Sequence, residues 1–166
     1  MTNTETSTPT IAPIPAGYTS LTPFLVVTDG AAAIDFYTAV FGARVTNRTD
    51  APDGTVAHAE LDFGTGRLQL ADANPAYGLV APTVDAETDA VTHSICLYCE
   101  DVDAVVARAR AAGATVREEV STFVTGDRFG SILDPFGQRW AIMTRVEDVS
   151  DEEAQRRVDA WMAEQG

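Results

Sequence analysis

Apolar and polar side chains alternate with period two over residues 22–29, 55–63, 67–71, 94–99 and 139–144, the pattern of half-buried strands. Two further stretches repeat every three or four positions instead. Ile34, Tyr37, Val40 and Phe41 fall on one stripe of a helix, and Val102, Val105, Val106 and Ala109 on one stripe of another. Residues 44–49, 115–120 and 129–133 complete the strand candidates. The turns between them carry Pro and Gly at 50–54, 64–66 and 134–137. A last helix starts at Ser150, where Ser150 and Glu153 have capping-box spacing. Its stripe of Ala154, Val158, Trp161 and Met162 predicts docking onto another surface.

The elements recur with an offset of 72 residues. Asp29 and Asp101 each stand where a strand hands over to a helix, a place where an acid caps free N–H groups and faces the positive end of the helix dipole. Gly42 and Gly113, 71 apart, read as left-handed helix stops. Each half therefore reads β-α-β-β-β. The chain is assigned to the α+β class, as two βαβββ modules forming a concave mixed sheet with outer helices, plus a C-terminal helix. The modules span about 21–72 and 93–146 within a domain of 21–146, and the helix occupies 147–166. Residues 1–20, rich in Thr and Pro, read as a flexible tail or a strap over the domain.

Charge narrows the partners. The chain of 166 residues carries 25 acids against 11 bases, all of them Arg, for a net charge of -14. Such a surface repels phosphate backbones, which argues against nucleic acid. No apolar run reaches the ~18 residues of a membrane span. Residues 147–166 hold -5 of the charge and 21–146 hold -8, so the surplus is not a property of any groove. Cys96 and Cys99 have CxxC spacing but lie in a strand, where they point to opposite faces and read as small packed side chains in a reducing cytoplasm.

Asp29, Phe36, Tyr37 and the run Phe41, Gly42, Ala43, with the ending Gly126 to Gly130 and Asp134 to Trp140, resemble the vicinal oxygen chelate superfamily. That superfamily includes glyoxalase I, extradiol dioxygenases and bleomycin-resistance-type binding proteins. His58, Glu60 and Leu61 point within it to the glyoxalase-like subgroup labelled after demethylubiquinone methyltransferase. The resemblance covers about 21–145. It implies four inward metal positions, carried over here onto Thr22, Gln69, Ser94 and Ala141. These offer no imidazole and no carboxylate, so neither metal nor other cofactor is expected. Recruiting His93 in place of Ser94 would need a bulge.

Strand parity places Ala57, Ala59, Leu61 and Phe63 against the helices. His58, Glu60 and Asp62 then face a concave groove with Phe24, Val26, Arg67, Gln69, Cys96, Tyr98, Arg139 and Met143. Trp140, in phase with Ile142, reads as core. His58 and Glu60 are the one His–carboxylate pair at same-face spacing. With Arg67 they form a structural network, a ligand contact, or a proton-transfer or metal site. The loop 122–130 is either a lid presenting Arg128 to a ligand or a turn closed by an Asp–Arg pair. The expected ligand contacts are thus Phe24, His58, Glu60, Arg67, Gln69, Ser94, Cys96, Tyr98, Arg128 and Arg139. Three functions remain open: a metal-independent protein sequestering a small organic ligand such as an antibiotic or aromatic metabolite; a metal-dependent lyase, isomerase or dioxygenase of glyoxalase type; and a metal-free enzyme using His58 and Glu60. A homodimer is expected, because a concave sheet needs a cover.

Overall fold

The structure is a computed structural model and describes residues 12–83 and 90–165. It contains β1 (Phe24–Val27), α1 (Gly30–Phe41), β2 (Arg44–Asp50), β3 (Val56–Asp62), β4 (Arg67–Asp72), β5 (Ile95–Tyr98), α2 (Val102–Ala111), β6 (Thr115–Thr122), β7 (Asp127–Leu133), β8 (Arg139–Arg145) and α3 (Asp151–Gln165). Residues 1–11 of the expected tail lie outside the described residues.

The strands form two four-stranded mixed sheets ordered β1-β4-β3-β2 and β5-β8-β7-β6, one per repeat. In each, the first strand pairs in parallel with the last, and the other pairings are antiparallel. The offset of 72 holds in three dimensions: Phe24 pairs with Gln69, and Cys96 with Ala141. Both helices start at the expected caps, Asp29 accepting from Ala32 N and Asp101 from Ala104 N, each at 2.9 Å. Gly42 and Gly113 carry the expected left-handed φ, 72° and 96°.

One core joins the repeats. Buried Trp140 of β8 meets Phe41 of α1 at 4.6 Å between ring centroids and Tyr37 at 5.3 Å. Phe136 packs edge-on against Phe36 at 6.0 Å. Truncating such an aromatic typically costs about 3–5 kcal/mol. Polar links cross the same seam. Arg108 Nε donates to the Val40 carbonyl at 3.0 Å, capping α1 from α2. Gln138 Nε2 donates to the Val26 carbonyl at 3.1 Å.

One expectation needs correction, and one alternative is resolved. Ala57 is exposed rather than packed on a helix, and Val56 is buried in its stead. The β2–β3 ladder shifts between Thr49 and Asp50, so β3 carries one extra residue, and Ala57 is the bulge that inverts the parity before His58. Residues 122–130 form no long lid. Phe123 N donates to Asp127 O at 2.8 Å, closing a tight β6–β7 hairpin.

The C-terminal helix rests on the body through part of its stripe: Ala154 and Val158 are half-buried, whereas Trp161 and Met162 stay exposed. Glu153 N donates to the Ser150 hydroxyl at 3.3 Å. Trp161 meets Phe123 edge-on at 5.4 Å, and Arg157 donates to both Glu147 oxygens at 2.8 Å.

Candidate functional site

Leu68 and Leu70 of β4 and Leu61 of β3 point into the core, which leaves Arg67, Gln69 and Glu60 on the open face of the first sheet. There His58 Nε2 stands 3.5 Å from Glu60 Oε1, and the Gln69 amide donates to that same oxygen at 3.5 Å. The Phe24 ring lies 6.1 Å from the imidazole. Arg67 completes the row, with Nη1 4.0 Å from Glu60 Oε2. The structure thus brings together Phe24, His58, Glu60, Arg67 and Gln69.

A strap meets this face. The guanidinium of Arg67 sits 4.6 Å from the centroid of the Tyr18 ring, a cation–π contact. Gly17 makes the approach possible: its φ is 82°, and a Cβ there would stand 2.6 Å from Arg67 Nη2. The nearby Tyr18 phenol is the main influence holding the Glu60 carboxyl below the usual carboxylate range, with His58 and Arg67 adding to it against the opposing effect of desolvation. The Tyr18 oxygen is itself buried without a partner at full hydrogen-bonding geometry, so its influence is that of a near neighbour. Parity reasoning missed Tyr18, because a lone aromatic in a Thr/Pro segment carries no periodic signal.

On the second sheet Cys96 and Tyr98 are exposed, and the Tyr98 hydroxyl donates to Asp127 Oδ2 at 3.3 Å. Burial and the Asp127 charge push the Tyr98 pKa up. Arg139 Nη2 pairs with Glu118 at 2.9 Å, and the Ser94 hydroxyl reaches the Arg139 carbonyl at 3.5 Å. Arg128, also an expected contact, is placed away from this face. Asp127 and Phe129 take the open face, so Arg128 projects to the helix side and binds Asp103 with two hydrogen bonds of 2.6 Å. It is removed from the groove. Cys99 also leaves the open face, standing 3.9 Å from the Thr144 hydroxyl.

Between the sheets lies a cleft of about 380 Å³. Its walls are the segment before β1 (Leu21, Pro23), the β3–β4 turn (Phe63, Gly66), the start of β4 (Arg67, Leu68), the edge of β5 (Ile95 to Tyr98) and Trp140. Apolar walls with few polar groups suit a small organic molecule. Arg67, Cys96 and Tyr98 were expected to face a ligand. Leu21, Phe63 and Gly66 were not, since only the apposition of the two repeats makes them neighbours.

The implied metal positions do not fit a divalent ion. Gln69 lies opposite Phe24 across the β1–β4 ladder, and Ala141 opposite Cys96 across the β5–β8 ladder. Thr22, Gln69, Ser94 and Ala141 supply no imidazole and no carboxylate, and the His58–Glu60 pair beside Gln69 adds only two donors. Among the described residues no three His, Cys, Asp or Glu side chains are grouped to hold a metal. His93 is engaged elsewhere. Gln138 commits its amide N–H to Val26, so its carbonyl oxygen faces His93 Nε2 at 3.2 Å, and that nitrogen carries the proton.

The chain is 38% identical over 150 residues to the protein Mb0911c of Mycobacterium bovis, covering 89% of this chain and 94% of the relative. Among solved structures it is similar to TioX from Micromonospora sp. ML1, with 27% identity, a TM-score of 0.60, and coverage of 76% of this chain and 98% of that one. It shares its fold with the fosfomycin resistance protein FosX of Listeria monocytogenes at 14% identity and a TM-score of 0.57, covering 82% of this chain and 94% of that one. Residues 18–142 match one family directly, and the chain belongs to the Glyoxalase/Bleomycin resistance protein/Dioxygenase superfamily.

Proposed function

We propose that the chain is a metal-independent binding protein that takes up a small organic molecule in the cleft between its two repeats. The cleft carries this reading: about 380 Å³ of mostly apolar wall, with Arg67, Cys96 and Tyr98 as polar points. Phe63 and Trp140 suit a ligand with an aromatic or branched aliphatic body. Membership in a superfamily named in part for bleomycin resistance supports sequestration of an antibiotic or aromatic metabolite. A thermal-shift screen of such compounds tests it. A ligand at 100 times its dissociation constant adds about 2.7 kcal/mol.

A second reading rests on the 3.5 Å contact between His58 and Glu60. A glyoxalase-like lyase, isomerase or dioxygenase would use that pair for proton transfer between a bound substrate and the imidazole or carboxylate. Turnover lost in His58→Ala with binding retained would favour it.

A second copy of the chain would cover the open faces. β2 is exposed along its whole length, and Phe24, Val45 and Tyr98 are large apolar or aromatic side chains left partly in water. The two free thiols suit a cytoplasmic setting. No helix among the described residues is long and apolar enough to cross a membrane.

A further inference from the structure

The outer edges of β1 and β5 are equivalent by the 72-residue repeat, yet one is closed and the other open. Cys99 N donates to Met143 O at 2.8 Å, so Leu97 and Cys99 direct their peptide groups toward β8. Parallel strands alternate, so the N–H and C=O groups of Cys96 and Tyr98 face the opposite side. Ala73 N donates to Val27 O and Gln69 N to Pro23 O, which likewise turns Phe24 and Val26 away from β4.

The outward carbonyl of Val26 is satisfied by the Gln138 amide at 3.1 Å, and His93 steadies that amide at 3.2 Å. The residues one repeat away are Tyr98 for Val26, Gly66 for Gln138 and Leu21 for His93. Gly66 and Gln138 hold the same backbone post. Each immediately precedes the last strand of its repeat, and each carbonyl accepts the turn-closing N–H, from Phe63 and Asp134 respectively, at 2.9 Å. Gly66 has no side chain to reach across. The outward peptide groups of Cys96 and Tyr98 consequently find no hydrogen-bond partner among the described residues. Tyr98, Gly66 and Leu21 all line the cleft.

We infer that the cleft recognises an amide: its ligand is an extended, peptide-like compound that pairs with the free edge of β5 where Gln138 pairs with β1. The inference rests on the reading of the cleft as a binding site and names the chemistry that would fill it. An amide N–H of the ligand donates to an outward carbonyl of β5, and its carbonyl accepts an outward N–H, the arrangement of strand addition. Apolar substituents then fall against Leu21, Phe63 and Leu68.

The probe is the blocked dipeptide N-acetyl-Leu-Phe methylamide, set against its analogue with an ester in place of the central amide. Binding is followed by calorimetry and by hydrogen exchange of the Cys96 and Tyr98 amides. The expected result is binding of the dipeptide, slowed exchange at those two amides, and affinity about fivefold weaker for the ester, the worth of one hydrogen bond. Gly66→Gln supplies the missing side chain. The site has open space for it and no left-handed φ. This variant should keep its melting temperature and lose dipeptide binding about tenfold or more. Equal binding of amide and ester by the unaltered chain, equal binding by Gly66→Gln, or no dipeptide binding at millimolar concentration would overturn the inference. If compounds without an amide still bind in the cleft, only the amide assignment falls; if nothing in a broad screen binds, the binding reading falls too.

Discussion

The Tyr37 hydroxyl donates to Asp134 Oδ2 at 2.8 Å, from the helix of the first repeat to the turn of the second, and both residues are buried. The same oxygen accepts Trp140 Nε1 at 2.9 Å, while Oδ1 accepts the N–H groups of Phe136 and Gln138. Four donors converge on one carboxyl at the seam between the repeats. Tyr37→Phe should lower the free energy of unfolding by about 1.5–3 kcal/mol, the range for a hydrogen bond to a charged group, as read from urea denaturation.

Burial raises the Asp134 pKa, against the lowering by its donors, and burial likewise holds the Tyr37 phenol well above its ordinary value. The folded state therefore binds the Asp134 proton more firmly than the unfolded state does. Stability from this group is full below the unfolded-state pKa and is lost as pH rises through the folded one. The difference in unfolding free energy between the unaltered chain and Asp134→Asn should shrink with rising pH across that interval and then level. A difference that grew with pH would contradict the assignment.

Glu60 has the opposite sign. Its pKa is lowered, first by Tyr18, so its contribution is present above the unfolded-state value and lost as pH falls through the folded one. In Tyr18→Phe the Glu60 carboxyl should titrate at higher pH than in the parent, as followed by carbon NMR of the side chain. An unmoved titration would show that the strap does not bear on Glu60.

Arg157 holds α3 to the body. It pairs with Glu147 and Glu153 and donates to the Val124 carbonyl at 3.3 Å, and both glutamates have lowered pKa values because of it. These contacts are largely exposed. Arg157→Ala should therefore lower overall stability only slightly, and less at high salt, while hydrogen exchange in α3 accelerates more than in the sheets.

The open faces of the two sheets predict self-association. Sedimentation at micromolar concentration should find a dimer. A single monomeric species there would remove the proposed cover.

Local chemistry made much of this legible in the sequence. Asp29 and Asp101 cap helices because carboxylates satisfy free N–H groups wherever a strand turns into a helix. Trp140 is core because it keeps phase with Ile142. Pattern failed where one residue changes phase, as at the Ala57 bulge, and where a partner comes from a distant element. Arg128 follows strand parity to Asp103 rather than the glycine-flanked loop to a ligand. The cleft was hidden for a further reason. Gly66 matters through the side chain it lacks, and that shows only beside Gln138 doing the work one repeat away.

The most direct test is an NMR titration of the chelator-treated chain with the strongest compound from the thermal-shift screen. Binding should persist without a divalent ion, with shifts concentrated at Arg67, Cys96, Tyr98 and the Trp140 indole. Binding that returns only when a divalent ion is restored, or shifts that map to α3 instead of the cleft, would contradict a metal-independent site between the repeats.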